Sequence, residues 1–446
     1  MKILTMSFDK NNGFYYEQLY QYIKNEIINE NLKTNTKLPS KRRLSAHLNI
    51  SQNTVEMAYN QLIDEGYVYS VARSGYYVSD ISNIIILSDV SIEDILIREE
   101  KAEYRYDFKF NGVDSSSNLK KYIKRCLKIV SDDLDDEIFN RSTGKGLLDL
   151  RKSISKYLYN SRGFLADPEN IIISYRTDDL INTLLILLDK DPVFAVENPG
   201  YKGISRSLDK YGIEYRPIEL NDDGMNIELI PNDIDIVSIT PSHQFPTGII
   251  YPIKQRMKIL NWAMEGDRFI LEDDYDSEFR YTGATIPSLK SFDKGDRVIY
   301  IGNFSKSISS SFKTSYMVLP KSLSKGEYNS PVSYINQKLL SVFIDEGYFE
   351  KHLNFMRSLY KKKRDKMVSK LNSYDVIIRG QEAGMHLICD FGKNYEKVIN
   401  NAEKYKIKIY PIKDYYETQT DDKRMLLGYS SIDIDDIDNA ISLLFK

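Results

Sequence analysis

Five short apolar runs punctuate the middle of the chain: "NIIIS" (170–174), "PVFAVE" (192–197), "DIVSIT" (235–240), "RFILE" (268–272) and "RVIYIG" (297–302). Helix-like segments such as "PIKQRMKILNWAME" stand between them. Runs of that length without polar alternation are buried on both faces, and helical crossovers join strands that run the same way. The pattern predicts an α/β fold around a mostly parallel central sheet. In such sheets ligands sit beyond the carboxyl ends of the strands, so any chemistry belongs there. Those ends read "NPGYKG", "PSHQFPTG", "DDYDSEF" and "NFSK" after the second to fifth runs.

The first eighty residues follow a different rule. In "YYEQLYQYIKNEIIN", Leu19, Ile23 and Ile27 line one helical face. Ser40 is the N-cap expected for a short second helix carrying Leu44 and Leu48. After the turn "NIS", Ser51 caps a third helix whose Val55, Ala58, Tyr59 and Leu62 repeat until Gly66. Three helices with so short a turn read as helix-turn-helix, and "YVYSVARSGYYV" reads as a hairpin wing around Ala72 to Gly75. With 446 residues the chain exceeds one core, and the expected division is 1–79, a linker at 80–103 with one short helix, and 104–446. Within the last part, a large domain is expected at about 130–325 and a small one mainly at 326–446.

Composition narrows the class. Against 64 Asp and Glu stand 61 Lys and Arg, which excludes a polybasic coat and confines any nucleic-acid contact to a local patch. Cys126 and Cys389 lie far apart, and the four histidines have no metal-ligand spacing, so a reducing compartment and no metal are expected. No run approaches the roughly 20 apolar residues of a membrane span. A cytoplasmic protein with no membrane partner is the expectation.

The strand ends bring together an aromatic, an acid, a phenol and a lysine. Pyridoxal 5'-phosphate asks for such a set: an amine for its aldehyde, a carboxylate for its pyridine nitrogen, and donors with a cation for its phosphate. Lys306, Asp273 and Lys313 suit those tasks.

In order along the chain, "LPSKRRLSAHLNISQNTVEMAYNQLIDEGYVYSVARSGYYV", "GKGLLDLRKSISKYL", "VENPGY", "PSHQFPTG", "EDDYDSEFRY", "FSK" and "AGMHL" resemble the MocR/GabR subfamily of GntR-type bacterial transcription regulators. That resemblance implies a winged helix-turn-helix fused to an aminotransferase-like domain of the PLP-dependent transferase fold type I. It further implies that Lys306 is the Schiff-base lysine, Asp273 pairs with the pyridinium nitrogen, Tyr275 bonds the phenolic oxygen and Tyr201 stacks near the ring. Ser305, Lys313 and Thr177 would serve the phosphate, and Arg424 a ligand carboxylate. His243 and His386 are read as packing residues. The chain also departs from the pattern. Arg176 stands at a glycine position, where it could compensate for Lys313 in place of an arginine; Asn303 replaces Thr, Ser315 replaces Gly, and Phe245 replaces the asparagine of related enzymes. Gly203 stands where a GABA-responsive relative has an arginine.

For double-stranded operator DNA, Ser40, Lys41 and Arg42 open the second helix, where a helix N-terminus and cations hold phosphates. Gln52, Asn53 and Thr54 open the recognition helix, and Gly75 permits close approach of the wing. The resemblance implies a head-to-tail homodimer and, as effector, a small amino compound or pyridoxal phosphate itself. Two alternatives stay open: a working aminotransferase with a vestigial DNA-binding domain, and a regulator that uses the large domain without cofactor for dimerisation.

Overall fold

The computed structural model describes residues 6–9, 13–81, 104–114, 116, 118–134, 136–139, 144–188, 191–283, 285–309, 311–326 and 328–446. They fall into two compact units, Met1–Lys101 and Ala102–Lys446. Most of the expected linker, with its short helix, lies outside the described residues.

The first unit contains helices α1 (Tyr15–Ile28), α2 (Lys41–Leu48) and α3 (Gln52–Asp64), followed by the antiparallel pair β1 (Val68–Val71) and β2 (Gly75–Val78). Its core includes residues that helical spacing picks out, Leu19, Ile23 and Ile27 from α1, Leu44 from α2, and Val55, Ala58, Tyr59 and Leu62 from α3, together with Tyr20, Leu32, Leu38, Val68 and Val78, while Leu48 is only partly buried against it. Fully burying each such Leu, Ile or Val side chain contributes about 1.5–3 kcal/mol. Both caps are formed, Arg43 N–H donating to Ser40 Oγ at 3.3 Å and Thr54 N–H to Ser51 Oγ at 3.0 Å. Asn49, left-handed at φ 55°, makes the sharp turn between α2 and α3. Tyr59 ties α3 to the start of α2, its hydroxyl donating to Pro39 O at 2.9 Å.

The second unit opens with β3 (Tyr106–Asp107), α4 (Leu119–Asp132) and α5 (Leu148–Arg162). It continues through β4 (Ile171–Ser174), α6 (Thr177–Leu187), β5 (Phe194–Asn198), α7 (Lys202–Lys210), β6 (Tyr215–Asn221) and β7 (Gly224–Met225). Next come β8 (Ile236–Ile239), α8 (Ile253–Glu265), β9 (Phe269–Asp274), β10 (Val298–Asn303) and β11 (Ser315–Val318). Strands β4 to β11 form one sheet in the order β4-β11-β10-β9-β8-β5-β6-β7. The five from β10 to β6 are parallel, whereas β11 runs against both β10 and β4. Residues of β5, β8, β9 and β10 face separate apolar clusters on the two sides of the sheet, one with α6 and α7 and one with α8. This is the burial on both faces that the unbroken apolar runs demand.

The C-terminal part holds α9 (Tyr334–Asp345), α10 (Tyr348–Leu371), β12 (Ile377–Arg379), β13 (His386–Asp390) and α11 (Tyr395–Lys404). After them follow β14 (Ile407–Lys408), β15 (Tyr410–Pro411), β16 (Met425–Gly428) and α12 (Ile437–Leu444). A small antiparallel sheet, β12-β13-β16-β15, and the turn after β15 place Ile388, Leu426 and Ile412 in a cluster with Phe245 and Tyr275 from the loops after β8 and β9. No helix among the described residues is long and apolar enough to cross a membrane.

Candidate functional site

A cavity of about 310 Å³ opens at the carboxyl ends of β4, β5, β8, β9 and β10, lined among others by Arg176, Thr177, Tyr201, Phe245, Asp273, Tyr275, Ser305 and Lys306. The sheet register explains the convergence. Asp273 is paired with Ile301, so the end of β9 lies beside the turn after β10 that carries Ser305 and Lys306. Side chains alternate along a strand. Glu272 and Asp274 therefore turn one way, Glu272 accepting from Leu289 and Lys290 N–H and Asp274 meeting Arg162 Nε at 2.6 Å, while Asp273 turns into the cavity.

Asp273 is 5% exposed, and its Oδ1 is buried with no hydrogen-bond partner. Burial, foremost, pushes its carboxyl up to about 7, opposed by the Lys306 ammonium. The Lys306 amine is itself held below its ordinary value, first by burial, with Asp276 and Asp273 pulling the other way. Its Nζ lies 4.2 Å from the Tyr275 ring centre, 5.7 Å from Phe110 and 5.9 Å from Phe245, within an aromatic cage. Desolvation shifts the lysine toward the neutral amine, the form that attacks an aldehyde.

The opposite wall is built for an anion. Arg176 and Thr177 start α6, whose N-terminus presents unpaired backbone N–H groups. Asn303, Ser315 and Ser174 stand in one row across β10, β11 and β4, and Asn303 Oδ1 and Ser174 Oγ are buried without partners. Arg176 also reaches Asp179 at 3.5 Å.

Pyridoxal phosphate fits this donor set. The orphaned Asp273 carboxylate oxygen would take its pyridinium N–H, Lys306 its aldehyde, and the start of α6 with Thr177, Ser305 and Ser315 its phosphate.

Two expected residues, Lys313 and Arg424, stand outside the cavity lining, and Tyr201 lies within it. Lys313 is exposed, with φ 36°, and stands outside the cavity lining; the turn before β11 directs it away, leaving Arg176 as the cation at the anion end. Arg424 is paired within the chain, its Nη2 2.6 Å from Asp422 Oδ2. Tyr201, at 43% exposure, stands edge-on to Phe245 with ring centres 6.2 Å apart. Gly203 makes that pose possible, because a Cβ there would lie 2.3 Å from the Tyr201 ring. Beyond Tyr201 an outer cleft of about 510 Å³ adds Asn182, Lys202, Arg206, Lys210 and Asp414 to the walls.

The residues that fasten these loops carry no local sequence signal. Glu197, at the end of β5, accepts from Thr240 N–H and Oγ1–H, Gln244 Nε2–H and Tyr251 O–H, locking the loop that bears Tyr201 to the one that bears Phe245. Arg162 also donates to Ser242 Oγ at 2.8 Å and to Ile286 O at 2.7 Å. Tyr300 O–H donates to the Asp274 carboxylate at 2.6 Å.

In the first unit, Ser40, Arg42, Gln52 and Asn53 are exposed, and Thr54 is half-buried beside its cap. Lys41 is committed to an ion pair with Glu56 of α3. Gly75 is paired with Val71 inside the hairpin, so the wing tip is Ala72-Arg73-Ser74, with Arg73 exposed at φ 60°. Arg73 is thus the cation at the tip, which the glycine signal did not reveal.

Two family models match the chain: bacterial regulatory proteins of the gntR family at residues 15–78, and aminotransferase class I and II at residues 115–425. The uncharacterised HTH-type transcriptional regulator YdeL of Bacillus subtilis is 36% identical, covering 96% of both chains. The pyridoxine biosynthesis regulator PdxR of Corynebacterium glutamicum is 28% identical, again with 96% of each covered. The probable rhizopine catabolism regulatory protein MocR of Rhizobium meliloti is 28% identical over 94% of this chain and 90% of its own. Among solved structures, kynurenine aminotransferase of Pyrococcus horikoshii superposes with a TM-score of 0.67 at 23% identity, covering 82% of this chain and 95% of that one, a likeness of fold.

Proposed function

As the chain belongs to the MocR/GabR subfamily of GntR-type transcription regulators, we propose that it couples pyridoxal phosphate at Lys306 to operator binding by its N-terminal helices. The observation that carries the reading is the meeting of a desolvated Lys306 amine with the unpaired Oδ1 of Asp273 in one cavity. When bound, the cofactor supplies an aldehyde for amine exchange and an electron-withdrawing ring. Lys306 would hold it through its amine, Asp273 would face the ring nitrogen as its acceptor, and the start of α6 with Ser305 would meet the phosphate, with a small amino compound as the effector. Arg42, Arg73 and the α2 N-terminus hold DNA phosphates, and Gln52 and Asn53 read base edges. The regulator works as a homodimer, for which sedimentation is the test.

A second reading takes pyridoxal phosphate itself as the signal, and it is favoured by the likeness to a relative named for pyridoxine biosynthesis. Operator affinity measured with cofactor alone, and then with a panel of amino acids and amines, separates the two. The amino-effector reading expects the affinity of the loaded protein to change with at least one amine. A response to cofactor alone, with none to any amine, overturns it in favour of the vitamer reading.

A further inference from the structure

Beneath the cavity lies a buried polar group that the reading above leaves unused. The His243 imidazole is 2% exposed and sits in a slot that two glycines leave open. A Cβ at Gly384 would lie 2.1 Å from its Cε1, and one at Gly248 would be 3.4 Å from its Nε2. Its Nδ1 is 3.0 Å and 3.2 Å from the two oxygens of Asp276 and 3.1 Å from the hydroxyl of Tyr275. Its Nε2 is buried with no partner.

This geometry selects one tautomer. An ionised carboxylate only accepts, so the proton stands on Nδ1. The unpartnered Nε2 is then a bare acceptor, since a second proton there would be a buried donor with nothing to meet. With Nδ1–H shared between Asp276 and the Tyr275 oxygen, the tyrosine oxygen accepts, and its own proton has two places to go, the Asp276 carboxylate or the cavity. Tyr275 lines the cavity beside Lys306, and Phe245, edge-on to it with ring centres 5.9 Å apart, brings no donor to that wall.

We propose that Asp276, His243 and Tyr275 form a relay in which His243 is a positioning residue, turning the Tyr275 O–H into the cavity as a strengthened donor to a phenolic oxygen on the bound ring. The proposal rests on the pyridoxal phosphate reading. Burial, foremost, and the Asp276, Asp273 and Glu197 carboxylates keep the Tyr275 phenol well above its ordinary value, so it arrives protonated. The other groups facing the relay are the Lys306 amine, for which Asp276 is a counter-charge, and His386, whose ring centre is 5.2 Å from that of His243. His386 donates from Nε2 to Pro246 O at 3.1 Å, and burial, foremost, pushes it down to about 3, so it stays neutral and adds no charge.

A hydrogen bond to the phenolic oxygen draws negative charge away from it and loosens its hold on the neighbouring proton. The visible band of the loaded protein then titrates at lower pH. His243→Leu removes the Nδ1 donor, and His243→Asn restores a donor near the same place. The midpoint of the band should rise by roughly half a pH unit to one unit in the leucine variant, the size of one ordinary hydrogen bond, and return toward wild type in the asparagine variant. Histidine ¹⁵N NMR of the wild-type protein gives a second reading. It should show the His243 ring protonated at Nδ1 and the His386 ring at Nε2, with the third buried ring, His352, assigned by its own substitution. A band whose midpoint does not move in His243→Leu, or a His243 ring protonated at Nε2, overturns the relay alone. Absence of any band in wild type overturns the cofactor reading and the relay together.

Discussion

The guanidinium of Arg424 is gripped by the Asp422 carboxylate, Nε lying 3.0 Å from Oδ1 and 3.1 Å from Oδ2, and Nη2 2.6 Å from Oδ2. Hydrogen bonding to Asp422, foremost, holds Arg424 above its ordinary value. The arginine expected to clamp a ligand carboxylate therefore already has one, from two residues away. A ligand must displace it, which weakens binding. Asp422→Asn should tighten a carboxylate-bearing effector about tenfold, equivalent to about 1.4 kcal/mol, and leave the matching decarboxylated amine unchanged. Equal effects on both members of such a pair, read by operator affinity, would remove Arg424 from the effector site.

Gly203 and Tyr201 make the next test. Exchanging glycine for alanine within a helix ordinarily stabilises by about 0.5–1 kcal/mol. Here the new Cβ would meet the tip of the Tyr201 ring at 2.3 Å, and that exposed ring can swing aside. Gly203→Ala should melt no lower than wild type while shifting the visible spectrum and weakening effector binding several-fold. An unchanged spectrum with unchanged affinity would show that Tyr201 does not wall the occupied cavity.

The pH dependence of cofactor capture follows from Lys306. Its folded-state pKa lies below the ordinary 10.5, with burial the main cause, so the neutral amine dominates from a lower pH than in a free lysine. The capture rate should rise with pH and level off before 10.5 is reached. Because Asp276 raises the Lys306 value, Asp276→Asn should move the inflection further down. An inflection at or above the ordinary value, measured by stopped-flow absorbance, would contradict this.

On the DNA side, Arg42→Ala and Arg73→Ala should each weaken binding on all sequences and reduce the salt slope by about 1, as phosphate contacts do. Asn53→Ala should instead relax preference at one base position. Ser51→Ala removes the cap on α3 and should cost about 1 kcal/mol of stability in thermal unfolding. A salt slope that neither arginine changes would place the phosphate contacts elsewhere.

The parallel strands were legible because unbroken apolar runs have few other folds open to them. Strand β6 was not, since "YRPIELN" buries only Ile218 and includes a proline. The caps at Ser40 and Ser51 were legible because capping is local chemistry. At the site, Asp273 and Lys306 could be paired in advance because each closes a neighbouring strand. Pairs made by folding could not: Arg162 with Asp274, Lys41 with Glu56, and the four donors on Glu197 join residues with no sequence spacing in common. His243 was read as a packing residue because a lone histidine usually is one. Only the fold brings it against Asp276 and Tyr275.

The most direct measurement is chemical trapping. The protein is incubated with pyridoxal phosphate, reduced with borohydride, digested, and its modified peptide identified by mass spectrometry. A single stoichiometric adduct on Lys306 is expected, lost in Lys306→Ala and weakened in Asp273→Ala. An adduct scattered over surface lysines, or none after incubation with excess cofactor, would contradict it.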